Sequence, residues 1–235
     1  PDAYQISRYP VTNAQYSAFV QAGGYEQRGF WTEEGWAWRT EKEVIRPKVF
    51  GRPFSLSNHP VVGVNWYEAL AFCRWLTSRS RASGHLDHTQ EVSLPTEPQW
   101  EKAARGDFNR NYPWGDTPDP NRANYNETNI GMTSAVGCFP HGTSPYGVMG
   151  LCGNIWEWTR SLWGEDTSKP RFMYPYSEKD GRENLDADRD ILRVLRGGSF
   201  SYPSRLVRVT YRDWNFPANR DYDIGFRLVI NCLNG

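Results

Sequence analysis

The first thing this chain lacks is an excess of charge. Lys and Arg together number 27, as do Asp and Glu, for a formal net charge of zero. No long-range field therefore draws it to nucleic acid or to an anionic membrane, and neither is expected as a partner. Long apolar runs are also missing. ILRVL is typical of the longest, far short of the ~20 residues that cross a bilayer. The N-terminus shows no basic-then-apolar leader, so the chain reads as soluble, with the cytoplasm favoured over secretion. The four cysteines, Cys73, Cys138, Cys152 and Cys232, form neither a CxxC nor a Cys/His cluster, which argues against a zinc module and for free thiols. The nearest histidines, His85 and His88, share the polar turn SGHLDH and suit a solvated loop. GxSxG, HExxH, HxxxH and phosphate-cradling glycine motifs are all absent. So are repeats, low-complexity tracts and linkers, and residues 1–235 are expected to form one domain.

What the chain does have is rings on irregular backbone: 15% aromatic residues with 11 Trp, beside 21 Gly and 16 Pro. Large rings bury much area each, and Gly and Pro interrupt regular elements, so helix and strand should be sparse. Helix signals stand at PVTNAQYSAFVQAGG, capped by Thr12 or Asn13 and closed by Gly23-Gly24, and at about Trp66–Arg79, the longest. A third lies at SLPTEPQWEKAARG, with Thr96 and Gln99 as a capping box and Gly106 as its end. The stretch GFWTEEGWAWRTE reads as a Trp-rich loop, and so does the text from Gly106 to about Trp163. Short strands are expected only at VLRGG and IGFRLVI.

Four segments, in order, carry a resemblance: YPVTNAQYSAFV, SLPTEPQWEKAARG with YPWGD, GNIWEWTRSLW, and RVLRGGSF followed by GFRLV. Together they resemble the formylglycine-generating enzyme (sulfatase-modifying factor) family over nearly the whole chain. The resemblance implies an α+β fold of the C-type lectin type, with a small twisted antiparallel sheet, two main helices and much irregular structure. The family has a further strand before the Tyr-Pro segment, so the N-terminal edge of the fold is expected to lie upstream, in a longer parent protein.

Two catalytic branches follow from the resemblance. The formylglycine-generating enzymes use two cysteines five apart after the GGS tripeptide, and those positions are Tyr202 and Val207 here. Neither supplies the thiolate that would act as nucleophile and soft copper ligand. The sulfoxide synthases join this domain to a helical bundle bearing iron-binding histidines, for which no constellation occurs in this chain. On that basis the chain is expected not to be an enzyme and to need no redox cofactor. The alternative is an enzyme of either branch acting on a cysteine or sulfur compound.

Residues 200–223 obey no period, and this segment resembles the variable region of proteins diversified by retroelements. Arg205, Arg208, Arg212, Pro217, Arg220 and then Ile224-Gly225-Phe226-Arg227 look like anchors. Between them Ser201, Tyr202, Ser204, Leu206, Val209, Thr210, Asp213, Asn215, Phe216, Ala218, Asp221, Tyr222 and Asp223 look interchangeable, each reachable from an asparagine codon by changing adenines. Tyr and Phe offer rigid area and Ser, Asn and Asp adaptable hydrogen bonds, the make-up of a binding surface. The expectation is a monomeric, non-catalytic module whose partner is another protein. The resemblance also implies structural calcium, held around GNIWEW by Gly153, Ile155 and Glu157, with a second set at Asn124 and the Tyr125 carbonyl. Hard oxygen ligands suit that ion, although Gly150, where the family carries an asparagine, has no side-chain oxygen to give.

Overall fold

The computed structural model describes residues 3–232. Eleven longer elements follow one another: β1 (Tyr4–Ile6), α1 (Asn13–Gln21), α2 (Glu33–Glu41), α3 (Trp66–Ala82), β2 (Gln90–Ser93), α4 (Glu97–Arg105), β3 (Trp156–Gly164), β4 (Leu192–Arg196), β5 (Arg212–Asn215), β6 (Ile224–Phe226) and β7 (Val229–Cys232). The expected α+β, C-type lectin-like architecture is present, with two sheets. One runs β1-β7-β2 and the other β5-β4-β3-β6. The first is antiparallel, while in the second β6 lies parallel to β3.

Three helices begin where the capping chemistry places them. Thr12, Asn65 and Thr96 each accept a bond from the backbone N–H three residues on, and Gln15, Glu68 and Gln99 return it. Each box satisfies two backbone donors that the first turn leaves free. Gly106, at φ +66°, closes α4 as anticipated. The expected Trp-rich loop is instead the helix α2, capped by Thr32. The loop expected as far as Trp163 is broken by β3, and β1 supplies a strand ahead of Tyr9-Pro10, correcting the reading that this strand lies upstream.

The core is aromatic. Tyr16, Phe19, Phe72, Trp75 and Phe226 pack in stacked, tilted and edge contacts 5.3–6.1 Å apart, and Trp66, Trp100 and Trp158 are fully buried. Several buried charges are paired. Arg227, on the two-residue link between β6 and β7, sends two bonds of 2.6 and 2.7 Å to Glu157 on β3 and others to the Ser7, Met149 and Gly150 carbonyls. One guanidinium thus joins both sheets and the central loop. Arg196 on β4 and Arg212 on β5 meet Glu97 on α4, and Arg220 meets Glu68, the capping carboxylate of α3. These arginines hold loops through carboxylates and carbonyls, as the sequence suggests for the anchors. All four cysteines are free, Cys73 and Cys152 buried, Cys138 and Cys232 exposed. Among the described residues no helix is long and apolar enough to cross a membrane.

Candidate active site

The GGS turn after β4 sets the site. Gly198 has φ +74°, and a Cβ there would fall 2.4 Å from Val207 Cγ1, so only glycine lets the turn close onto the segment below. Val207 is fully buried beneath it, clustered with Tyr112, Ala123, Tyr125 and Cys152. Tyr202 is half-buried, its ring edge-on to Trp156 at 5.3 Å. The two positions that would carry thiols are therefore a phenol and a buried aliphatic. Cys152 sits nearby, but burial pushes its thiol far above the ordinary range, so it supplies no thiolate.

Around Tyr202 lies an acidic face walled by rings. Tyr211 stands 6.0 Å from Trp156, and Asp213 is close enough to act on its phenol. Asp213, on β5, makes its one bond to the N–H of Trp214, and burial raises its pKa. Asp223 accepts from the Ser199 hydroxyl at 2.7 Å, yet burial, abetted by Asp221 and Asp213, raises its pKa too. Asp221 takes a 3.0 Å bond from Asn215. Tyr202 feels both Asp223 and Asp213, and its phenol is raised first by burial and then by those charges. Among the described residues no Lys, Arg or His pairs with any of the three carboxylates. Partly desolvated negative charge beside electron-rich ring faces is what a cation, above all an alkylated ammonium, complements.

The thirteen residues expected to be interchangeable are not equally placed. Ser201, Thr210, Phe216 and Tyr222 are exposed, and Tyr202, Ser204, Leu206, Asp213, Asn215, Ala218 and Asp221 are half-buried. Asp223 is 7% exposed and belongs to the acidic face. Val209 is a correction: it is fully buried against Trp100, Ala104, Val148 and Leu151, because Arg196 draws its carbonyl inward at 2.5 Å. Ser204 is engaged by Glu127, whose carboxylate accepts from its N–H and hydroxyl. Sequence reasoning missed Trp156, Tyr211 and Ser199, although Trp156 lies inside GNIWEW and Ser199 inside GGS.

The residues expected to hold calcium divide. Glu157 is fully buried and already committed to Arg227 and to the indole N–H of Trp100 at 2.7 Å, and that guanidinium also takes the Gly150 carbonyl. A cation is thus already in place there, and Glu157 does not fit a metal. Asn124 does fit: its Nδ2 donates to the Met132 carbonyl and to Asn154, while its buried Oδ1 has no partner. Gly153 lets the two loop segments meet there, since a Cβ would fall 2.1 Å from the Asn124 carbonyl oxygen. The Gly153 carbonyl already accepts from the Ile155 N–H, and that of Tyr125 from the Thr128 N–H. No group of three or more His, Cys, Asp or Glu among the described residues could hold a metal ion, so the iron implied by the sulfoxide-synthase branch has no ligand set here.

Comparison with known proteins corrects the functional expectation. The chain is 34% identical to a hercynine oxygenase of Mycolicibacterium thermoresistibile over 97% of its own length and 50% of that protein, so it spans about half of that relative. It is 29% identical to the formylglycine-generating enzyme of Mus musculus over 99% of the chain and 67% of the enzyme. Treponema denticola variable protein 1 superposes with a TM-score of 0.64, covering 98% of this chain and 84% of that one, at 22% identity. That likeness shows a shared fold and nothing more. With named enzymes as its sequence relatives, the reading of a non-catalytic, retroelement-diversified binding module is overturned. Residues 2–232 match the sulfatase-modifying factor enzyme 1-like domain, and the chain belongs to that family.

Proposed function

We propose that this chain is the substrate-binding part of an oxygenase that joins sulfur to a cationic, N-methylated amino acid. The observation that carries the reading is Asp213: a half-buried carboxylate with no cationic partner among the described residues, near Asp223 and close to Tyr202 and Tyr211, whose rings pack on the buried Trp156. Such a face is complementary to a betaine, and hercynine is the trimethylated betaine of histidine. The thiol-pair route of the formylglycine-generating enzymes is disfavoured because Tyr202 and Val207 occupy those positions. The overall reaction would be thiol plus aromatic C–H plus O2 giving an aryl sulfoxide plus water: one oxygen atom ends on sulfur and the other takes the two hydrogens. The metal for oxygen activation would come from ligands other than those described.

Within that scheme the chain's own residues bind and orient. Asp213 and Asp223 hold the ammonium end, the rings exclude water from it, and the Tyr202 phenol, protonated across the physiological range, stands ready to donate a hydrogen bond to a reacting atom. Calorimetric titration of the chain with hercynine and with histidine tests the binding step. Hercynine should bind at least about tenfold more tightly, the order expected for one desolvated cation–π contact plus a charge-assisted pairing. Equal affinity, or no saturable binding of either, would remove the basis for the proposal.

A further inference from the structure

From Val44 to Tyr67 the chain carries Arg46, Lys48 and Arg52 and no acidic residue, although its overall charge is zero. This basic segment bends over α1 to enclose a groove of about 300 Å³. The floor is apolar and rigid: Val20 on α1 with Val61 and Val62, the last two nearly inaccessible. Phe50 and Phe54 form one wall. Arg46 and Lys48 stand at the rim, exposed, and no carboxylate pairs with either among the described residues. Lys48 Nζ lies 5.0 Å over the Phe50 ring, poised above the groove wall. The backbone holds this geometry, since Lys48 N–H donates to the Gly63 carbonyl and Arg220 donates to that of Arg46.

We propose that this groove binds a small carboxylate with an apolar body, up to about dipeptide size. A volume of this order lies at the small end of the range for small-molecule sites. An apolar floor with two unpaired cations at one rim selects an amphiphile whose negative end faces the rim. The location gives the site a use. Phe50 and Phe54 each stand 6.2 Å from Tyr222, and Phe200, next to Ser199, stands 5.9 Å from Tyr222. The groove and the acidic face therefore share an aromatic partition, with positive charge on one side and negative on the other. Two substrates of opposite charge would be sorted by it. The proposal concerns binding alone and stands independently of the oxygenase reading.

The test uses 3-phenylpropionate, its neutral amide and 2-phenylethylammonium as probes, followed by calorimetry and by chemical-shift changes at Val20 and Val62. The acid should saturate the site and the amide should bind about fivefold more weakly, as two exposed ion pairs allow. The ammonium should leave those signals unmoved. Lys48→Gln with Arg46→Gln should weaken the acid about fivefold, both being surface changes that leave the core intact, whereas Lys169→Gln should change nothing. Val20→Trp, which fills the groove, should remove binding of acid and amide alike. Equal affinity for acid and amide, an unaffected Arg46/Lys48 double variant, or an acidic peptide binding where phenylpropionate does not would each overturn the proposal.

Discussion

At the scale of single residues, Asp213 is the most informative group. A carboxylate raised by burial and left without a cation costs stability when ionised. Its proton is held more tightly in the folded state than in the unfolded chain. Its contribution to stability therefore falls as pH rises from the ordinary carboxylate value, ~3.9, through its folded pKa, and remains unfavourable above it. Asp213→Asn should accordingly raise stability at neutral pH, seen as a higher urea midpoint with unchanged m. The same change should weaken betaine binding by about 10- to 100-fold. Binding has the opposite pH dependence, because the cation needs the ionised form. Affinity for hercynine should fall on acidification at a pH above the ordinary carboxylate range, and a midpoint at or below that range would contradict the assignment. The chemical types in this site were legible in the sequence: Tyr202, Asp213, Asp221, Tyr222 and Asp223 all stand out between the arginine anchors. Their meaning was not. Irregular spacing reads equally as freedom to vary and as a set of groups each fixed by a different contact. Only the geometry shows that Arg212 and Arg220 turn towards Glu97 and Glu68 and that the aspartates are left unmatched among the described residues.

At the scale of elements, legibility followed local chemistry. α1, α3 and α4 could be read because a cap, a returning Gln or Glu and a closing residue all lie within the helix's own sequence. α2 could not, since Trp36 and Trp38 stand two apart, a strand-like spacing, and the helix is set by Thr32 and by packing on Tyr67. β3 was hidden for another reason. Eight of its nine residues are buried, so both faces are covered and the polar alternation that marks a half-exposed strand is lost. Thr96→Ala, which removes the α4 cap, should cost about 1 kcal/mol in a denaturant titration. Arg220→Met would leave the fully buried Glu68 carboxyl, whose pKa burial already raises, without its charge partner beneath the loop that carries Asp221 and Asp223. The expected loss is about 3–5 kcal/mol, with hydrogen exchange in residues 219–223 rising ahead of the rest. Uniform exchange would mean that the pair does not hold this loop.

At the scale of the molecule, two small sheets and four helices are fastened by a few buried guanidinium–carboxylate pairs, of which Arg227–Glu157 is the central one. This arrangement leaves the surface between the anchors free for chemistry. It explains how a fold shared with a variable protein can also belong to sequence relatives that are enzymes. The acidic face and the basic groove lie on either side of one aromatic partition, which under the proposed function would serve two substrates of unlike charge. The central claim is that the face at Asp213 presents a cationic amino acid to oxidative sulfur chemistry. The most direct test is mass spectrometry of the product formed by the full-length protein from hercynine and a cysteine thiol under O2, with and without Asp213→Asn. The account predicts a species with the combined mass of both substrates plus one oxygen and less two hydrogens, at least about tenfold less abundant in the variant. A product formed equally well by the variant, or an aldehyde on a cysteine peptide in its place, would contradict it.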